Sequence, residues 1–335
     1  MRFRSAAASR VALAERWRSA AASIDADAVV AAHREAGVEI IAPGSAHWPP
    51  TLVDDPEPPP LLFVRGDPEL LAAVSVAIVG TRRCSAAGTS TARALGAGVA
   101  SAGVGVVSGL ALGIDGAAHR GALDRGGPVI GVVATGLDVV YPRRHRALWD
   151  EVASAGVLVS EAPIGTTAER WRFPARNRVI AALSRLVVVV ESGRTGGSMS
   201  TVESAIQRQV DVGAVPGPVQ AATSAGTNQL LADGCLVVRD ATDVLVALGV
   251  HAFPAGAPDE RQPAPLLSAD PVTNAVAWTP TSLDDIVAAT GLPFTEVAAR
   301  LATLELTGVV EREPDGYRRV PTSGMAPDAD RGSVR

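Results

Sequence analysis

Seven short apolar runs, most of them rich in valine and all set off by glycine, proline or polar residues, constrain this chain more than any other feature. They are Val76–Val79, Val104–Val107, Val129–Val133, Val157–Val159, Leu186–Val190, Val212–Val215 and Leu236–Val238. Between them lie segments with helical character at Thr89–Ser101, Gly116–Asp124, Arg144–Ser154, Arg176–Leu183 and Ser200–Gln209. A strand that is apolar along its whole length is covered on both faces, as in a parallel sheet between two helical layers. One run of four or five residues could equally be buried helix, but seven with regular punctuation point to strands. The alternation predicts an α/β fold built on a doubly wound, mostly parallel, Rossmann-like sheet. A chain that is 47% hydrophobic but only 4% aromatic suits it, since small residues let helices pack closely on the sheet.

The flanks read differently. Residues 1–65 are expected to form a helical lead-in, with helices over Ala6–Ala22 and Ile24–Ala36, ended by the proline-rich stretch from Pro49 to Pro60. Residues 66–250 carry the sheet, and 251–272 form a linker rich in Pro, Ala and Asp. Residues 273–321 hold a helix capped by Thr281 or Ser282, a turn at Thr290–Pro293, and a helix over Thr295–Leu306. A hairpin across Asp315-Gly316 follows, so this unit reads as a winged helix. Residues 322–335 read as a disordered tail.

All 30 basic residues are arginine. The absence of lysine excludes a Schiff base, a lysine general base and a Walker-type phosphate loop, but not phosphate binding, because arginine grips phosphate bidentately. The formal net charge of −5 argues against a basic surface overall and leaves room for a local patch. Cys84 and Cys235 stand too far apart in sequence to suggest a metal motif. With no signal peptide and no membrane-length apolar run, the expected compartment is the cytoplasm. No cofactor is expected.

Four segments follow predicted strands, where ligands of open α/β sheets bind. Gly80-Thr81-Arg82-Arg83 combines a glycine turn, backbone amides and two cations. Ser108-Gly109 opens a glycine-rich loop running to Asp115 and His119, in which Ser108 offers a hydroxyl and an amide to phosphate. Asp115 and His119, one helical turn apart, could form a catalytic pair or, the preferred reading, serve as structural polar groups, with Asp115 capping the helix. Around Arg172, Phe173, Arg176, Asn177 and Arg178 the charge is locally positive: residues 165–197 hold six arginines against two glutamates. Trp171 and Phe173 supply faces on which bases can stack. Arg194 and Gly196-Gly197-Ser198 follow the most hydrophobic run, where consecutive amides can form an anion nest.

Taken in order, these segments resemble the DprA/Smf family of bacterial DNA-processing proteins. The likeness runs from about Pro43 to Leu248. It is carried by Trp48-Pro49, Leu62–Asp67, Val79–Arg83, Ser108–Ala111, Gly113–Asp115, Ala118-His119, Gly136–Asp138, Tyr141-Pro142, Ser160-Glu161, Phe173–Ile180, Gly197-Ser198, Val215–Gly217 and Gly226–Asn228. The resemblance implies a dimeric protein without a catalytic step, which binds single-stranded DNA, protects it during uptake and transformation, and loads the RecA recombinase. It assigns Arg82, Arg83, Ser108, Gly109, Arg176, Asn177, Arg178 and Gly197-Ser198 to a phosphate-binding crevice. Where family members often place a lysine this chain has none, so that contact is either absent or made by Arg194. The winged helix, whose second helix carries Arg300 between Glu296 and Glu305, reads as a contact for protein or as a modulator of the dimer.

One segment points elsewhere. Gly196–Glu203 resembles the glycine-rich loop of the LOG nucleotide phosphoribohydrolases, with Glu203 at the glutamate position and Met199 and Ser200 departing from the pattern. Glu203 is therefore either a carboxylate for glycosidic cleavage or, the preferred reading, an ordinary helix-surface residue. A nucleotide sensor that signals through the winged helix is the third reading.

Overall fold

All seven apolar runs become strands, and two further strands that the periodicity does not show extend the sheet. The computed structural model describes residues 14–250, apart from 17 and 20, and 270–320, apart from 278–279 and 314–315. The expected linker up to residue 269, the tail from 322, most of the Ala6–Ala22 helix and Asp315 of the hairpin turn lie outside the described residues. The chain divides into two compact units, residues 1–252 and 253–335.

In the first unit the order is α1 (Ala26–Glu35), β1 (Glu39–Ile41), β2 (Leu62–Gly66), β3 (Ser75–Val79), α2 (Ala86–Ser101), β4 (Gly105–Ser108), α3 (Ile114–Leu123), β5 (Val129–Val133), α4 (Arg146–Ala155), β6 (Val157–Ser160), α5 (Arg172–Ala182), β7 (Leu186–Val189), α6 (Met199–Gln207), β8 (Asp211–Ala214), α7 (Ala225–Ala232), β9 (Leu236–Val237) and α8 (Ala241–Ala247). The nine strands are ordered β1-β2-β6-β5-β4-β3-β7-β8-β9. From β6 to β9 neighbours run parallel, while β2 pairs antiparallel with both β6 and β1. The helical reading of residues 1–65 thus holds for Ala26–Glu35 and is corrected beyond it. Glu39–Ile41 and Leu62–Gly66 join the sheet, where Leu62, Phe63 and Val64 are buried.

Alternation within each strand divides the core between the two faces of the sheet. Val76 and Ile78 of β3 pack with Leu95 of α2, Ile114 of α3, Trp149 of α4 and Val244 of α8. Ala77 and Val79 point the other way, into a cluster with Val179 and Ile180 of α5, Val202 of α6 and Leu230 of α7. Helices on both faces make the sheet doubly wound. From β3 the chain winds outward through β4, β5 and β6, then returns to place β7 on the other flank of β3. The loops leaving β3 and β7 therefore diverge, and a crevice opens between them.

The second unit has α9 (Pro271–Ala275), α10 (Leu283–Thr290), α11 (Phe294–Leu306) and the hairpin β10 (Val310–Glu313) with β11 (Gly316–Arg319). Ser282 caps α10 by accepting from the Asp285 amide, and Gly291 ends it at φ 65°. Val272, Ile286, Val297, Leu301 and Val310 form its core. Thr281 makes an isolated antiparallel bridge to Tyr317 at the edge of the hairpin. This is a winged helix. Among the described residues no helix is long and apolar enough to cross a membrane.

Candidate nucleic-acid interface

At the β3/β7 divergence a groove of about 440 Å³ is lined by residues from four loops or helix starts. The turn after β3 supplies Gly80, Thr81, Arg82 and Arg83; the β4–α3 loop and the start of α3 supply Ala111 and Asp115. α5 supplies Phe173, Pro174, Arg176 and Asn177, and the loop into α6 supplies Gly196, Gly197, Ser198, Ser200 and Thr201.

The two sides of the groove are fastened to each other. The Thr81 amide donates to the Glu191 carbonyl at 2.7 Å. The Glu191 carboxylate, buried, accepts from the Ser85 amide and hydroxyl. Ser85 in turn caps α2 by accepting from the Gly88 amide at 2.9 Å. One carboxylate thus ties the β7 exit to the start of α2. On the far wall Asn177 donates to the Gly197 carbonyl and the Ser200 hydroxyl. Ser198, buried, donates its hydroxyl to that of Ser192. These contacts hold the loop so that the Gly197 and Ser198 amides find no acceptor among the described residues, which suits an incoming anion.

The floor holds a buried cation, with the buried Asp115 carboxyl near enough to act on it through charge. Arg176 is 7% exposed, and it donates through Nη1 to the carbonyls of Gly109 and Val132 and through Nε to Asn177. Burial pushes its guanidinium down to about 10, and the Asp115 carboxylate pulls the other way. It stays charged at neutral pH. Burial raises the Asp115 carboxyl, against the stabilising charge of Arg176 and the Gly109 amide, which donates to it at 3.1 Å. A Cβ at position 109 would fall 2.5 Å from the Arg176 guanidinium and push it from its place on the floor.

Around the rim, Arg82 and Arg83 are exposed. The Arg82 guanidinium lies 5.1 Å from the Phe173 ring centre, and Tyr141 meets Phe173 from the side at 5.3 Å. Beyond Phe173 a slot of about 60 Å³ runs between Leu112, Tyr141, Pro142 and Val133–Thr135. A third hollow of about 260 Å³, at the ends of β5 and β6, also has Arg176 in its wall.

Several expected contacts stand elsewhere. Ser108 is corrected: it is fully buried, its hydroxyl donates to the Ile78 carbonyl at 2.7 Å, and it does not line the groove. The Gly109 amide is taken by Asp115, so Gly109 shapes the floor and offers no donor to phosphate. Arg178 is corrected too. It pairs with Glu161 and donates to the Glu57 carbonyl, in the wall of the third hollow. Arg172 sits in the same hollow, 4.4 Å from the Trp171 ring centre, with a buried Nε that has no hydrogen-bond partner. Arg194 is exposed and does not line the groove.

Asp115 does not cap α3; the N-cap position is Gly113, which offers no side chain. His119 is fully buried, with no well-formed hydrogen bond to its ring among the described residues, and desolvation lowers it to about 4 against a weaker opposing effect of the Ile130 backbone. It forms no pair with Asp115 and lines no part of the groove. Glu203 is exposed on α6, and the groove is lined by its helix neighbours Ser200 and Thr201 instead. The residues that sequence reasoning did not place are Glu191, as the stitch between loops, and Tyr141, as the neighbour of Phe173. Glu191 had a signal: a carboxylate directly after the most apolar strand.

Comparison with known proteins agrees with this architecture. The family model described as DNA recombination-mediator protein A matches residues 39–249, and that of the DprA winged helix domain matches 254–316. A putative DNA processing protein DprA of Mycobacterium tuberculosis is 38% identical over 284 residues, covering 82% of this chain and 72% of that protein. Protein Smf of Escherichia coli is 35% identical over 293 residues, covering 84% and 77%. Among solved structures, DprA of Streptococcus pneumoniae aligns with a TM-score of 0.61 at 37% identity, covering 64% of this chain and 77% of that one. DprA of Helicobacter pylori, whose structure concerns its single-stranded DNA binding mode, aligns with a TM-score of 0.57 at 29% identity, covering 63% and 95%. With its sheet unit and its winged helix both matched, the chain belongs to the DprA/Smf family of DNA-processing proteins.

Proposed function

We propose that the groove at the β3/β7 divergence binds single-stranded DNA, with Arg82, Arg83 and the Gly197 and Ser198 amides holding phosphates and Phe173 stacking a base. The observation that carries this is the placement of Phe173. An aromatic ring, the rim arginine stacked on it and an amide nest share one groove above a buried cation. Backbone amides and arginines alone would suit any anion. An aromatic face in the same groove selects a nucleotide whose base is out of its stack, which a duplex does not offer. A base laid on Phe173 takes the place of the Arg82 guanidinium and releases it to a phosphate. The H. pylori relative supports the same substrate class.

Membership in the family extends the proposal to a recombination mediator: a homodimer that protects incoming single strands and loads RecA, without a chemical step. No groove residue is set up as a nucleophile, and Glu203 stands outside it. The winged helix fits a protein contact better than a DNA contact. Arg300 is held by Asp270 and Glu296, Arg318 by Glu311 and Glu313, and Arg312 lies over Tyr317.

Fluorescence anisotropy with single-stranded and duplex oligonucleotides across a salt series tests the reading. Preference for the single strand with a steep salt slope is expected. Equal binding of both, or none, overturns it. A pulldown with the cognate recombinase tests the mediator role.

A further inference from the structure

A second basic groove lies on the helical layer behind the turn that carries Arg82 and Arg83. It encloses about 360 Å³ between α2, α3 and the turn leading into α4. Arg93 of α2, Arg120 of α3, and Arg144 and His145 before α4 stand around it, over a floor that includes Gly113 and Gly116. No carboxylate lines it among the described residues. The counter-ions of its cations lie outside: Arg93 uses Nε and Nη2 on Asp124, and Arg120 uses Nη1 on Glu151. Each guanidinium therefore keeps N–H donors that these pairs do not use. Arg144 is exposed and has no ion pair among the described residues.

This groove and the first one meet back to back. Thr81 and Arg82 line the first groove, and Gly113 lines the second. Gly113, at φ 80°, packs so tightly on that turn that a Cβ would fall 2.4 Å from the Thr81 carbonyl oxygen. The Gly80–Arg83 turn is thus a thin ridge between two basic depressions, with two exposed arginines on it.

We propose that the groove between α2, α3 and α4 is a second phosphate-binding segment, which takes the backbone of the same single strand after it crosses the Thr81–Arg83 ridge. This rests on the single-strand reading of the first groove. Unlike the first groove, it has no Phe, Tyr or Trp among its described lining residues, so it holds mainly backbone charge. It serves strand length, giving longer oligonucleotides added affinity that short ones cannot reach.

The test measures anisotropy of 6-nucleotide and 20-nucleotide single strands with the full chain, Arg144→Glu, and Arg65→Glu as a control for bulk charge. Arg65 is exposed on β2 and lines neither groove. Arg144→Glu is expected to leave the 6-mer affinity unchanged, to weaken the 20-mer roughly tenfold and to flatten its salt slope by about 0.7. A 20-mer affinity unchanged in Arg144→Glu, or an equal loss in Arg65→Glu, overturns the second groove and leaves the first standing. A wild-type chain that binds neither length overturns both. Circular dichroism of each variant checks the fold, and unchanged 6-mer binding shows the first groove intact.

Discussion

Replacing Arg176 with alanine separates two roles for the same residue. As a solvated phosphate contact it would matter for binding and leave stability within about 0.5 kcal/mol. The structure makes it a buried cation, donating to the carbonyls of Gly109 and Val132, with the buried Asp115 carboxyl as the nearby opposing charge. Removing that cation leaves two carbonyls without their donor and Asp115 without its opposing charge, a loss of up to about 3–5 kcal/mol. The Asp115 carboxyl, already raised by burial, loses the guanidinium that opposes the rise. Its folded-state affinity for a proton then exceeds the unfolded value by more. That term supports the fold at low pH and is lost as pH rises through the folded pKa, so Arg176→Ala should be hurt more at pH 8 than at pH 5. The double change Arg176→Met with Asp115→Asn removes both charges and should recover part of the loss, a coupling that a double-mutant cycle measures. Urea unfolding at the two pH values is the assay. An Arg176→Ala chain as stable as the wild type, or equally destabilised at both pH values, refutes the buried-cation account.

Other consequences concern binding and pH. Phe173→Ala should weaken single-strand binding by about 1–3 kcal/mol in titrations, with little change in salt slope, whereas Arg82→Ala should flatten the slope by about 0.7. Ser108→Ala should cost about 1 kcal/mol of stability through the lost bond to Ile78 and leave DNA affinity unchanged, in a paired unfolding and anisotropy measurement. His119, lowered to about 4, binds protons more weakly folded than unfolded, so its contribution is present above pH 6.5 and lost as pH falls toward 4. About 3 kcal/mol is at stake over that window, and acid denaturation of His119→Met should lack this step. A chain truncated after Gly249 should retain single-strand binding in gel shifts, because the described arginines Arg300, Arg312, Arg318 and Arg319 of the winged helix are all engaged within that unit.

The parallel strands were legible because each is apolar throughout, a pattern that does not depend on its neighbours. β1 and β2 were not. Glu39–Ile41 is three residues long, and Leu62–Gly66 follows a proline run that reads as a break. Antiparallel pairing to β6 is what makes them strands, and no local periodicity announces it. The crevice was legible at the level of loops, since ligands gather where strands end and the glycine-bearing segments mark those ends. Which side chains face it was not. Ser108 and Asn177 are both polar residues in recognised motifs, yet one donates inward to Ile78 and the other stands in the groove wall. Arg176 and Arg178 differ by two positions on α5, about 200° around the helix, which sends one to the floor and the other to Glu161. Sequence spacing placed the cluster, and only helical phase distributes its members.

Helical phase also bears on how an acidic protein grips a polyanion. The chain spends its cations unevenly: Arg178 and Arg208 are tied to the segment that holds Asp55 and Glu57, and Arg176 is sunk in the floor. The arginines left free at the groove are Arg82 and Arg83. A grip with so few mobile cations must draw on fixed charge, and a buried guanidinium that stays ionised supplies it in a low-dielectric setting, where it acts more strongly than a solvated one. Lysine would do this poorly. The same burial would bring an ammonium closer to neutrality, and its three donors cannot span Gly109, Val132 and Asn177 in one plane. An all-arginine composition, whatever its origin, is therefore compatible with this site because its central cation is a structural one.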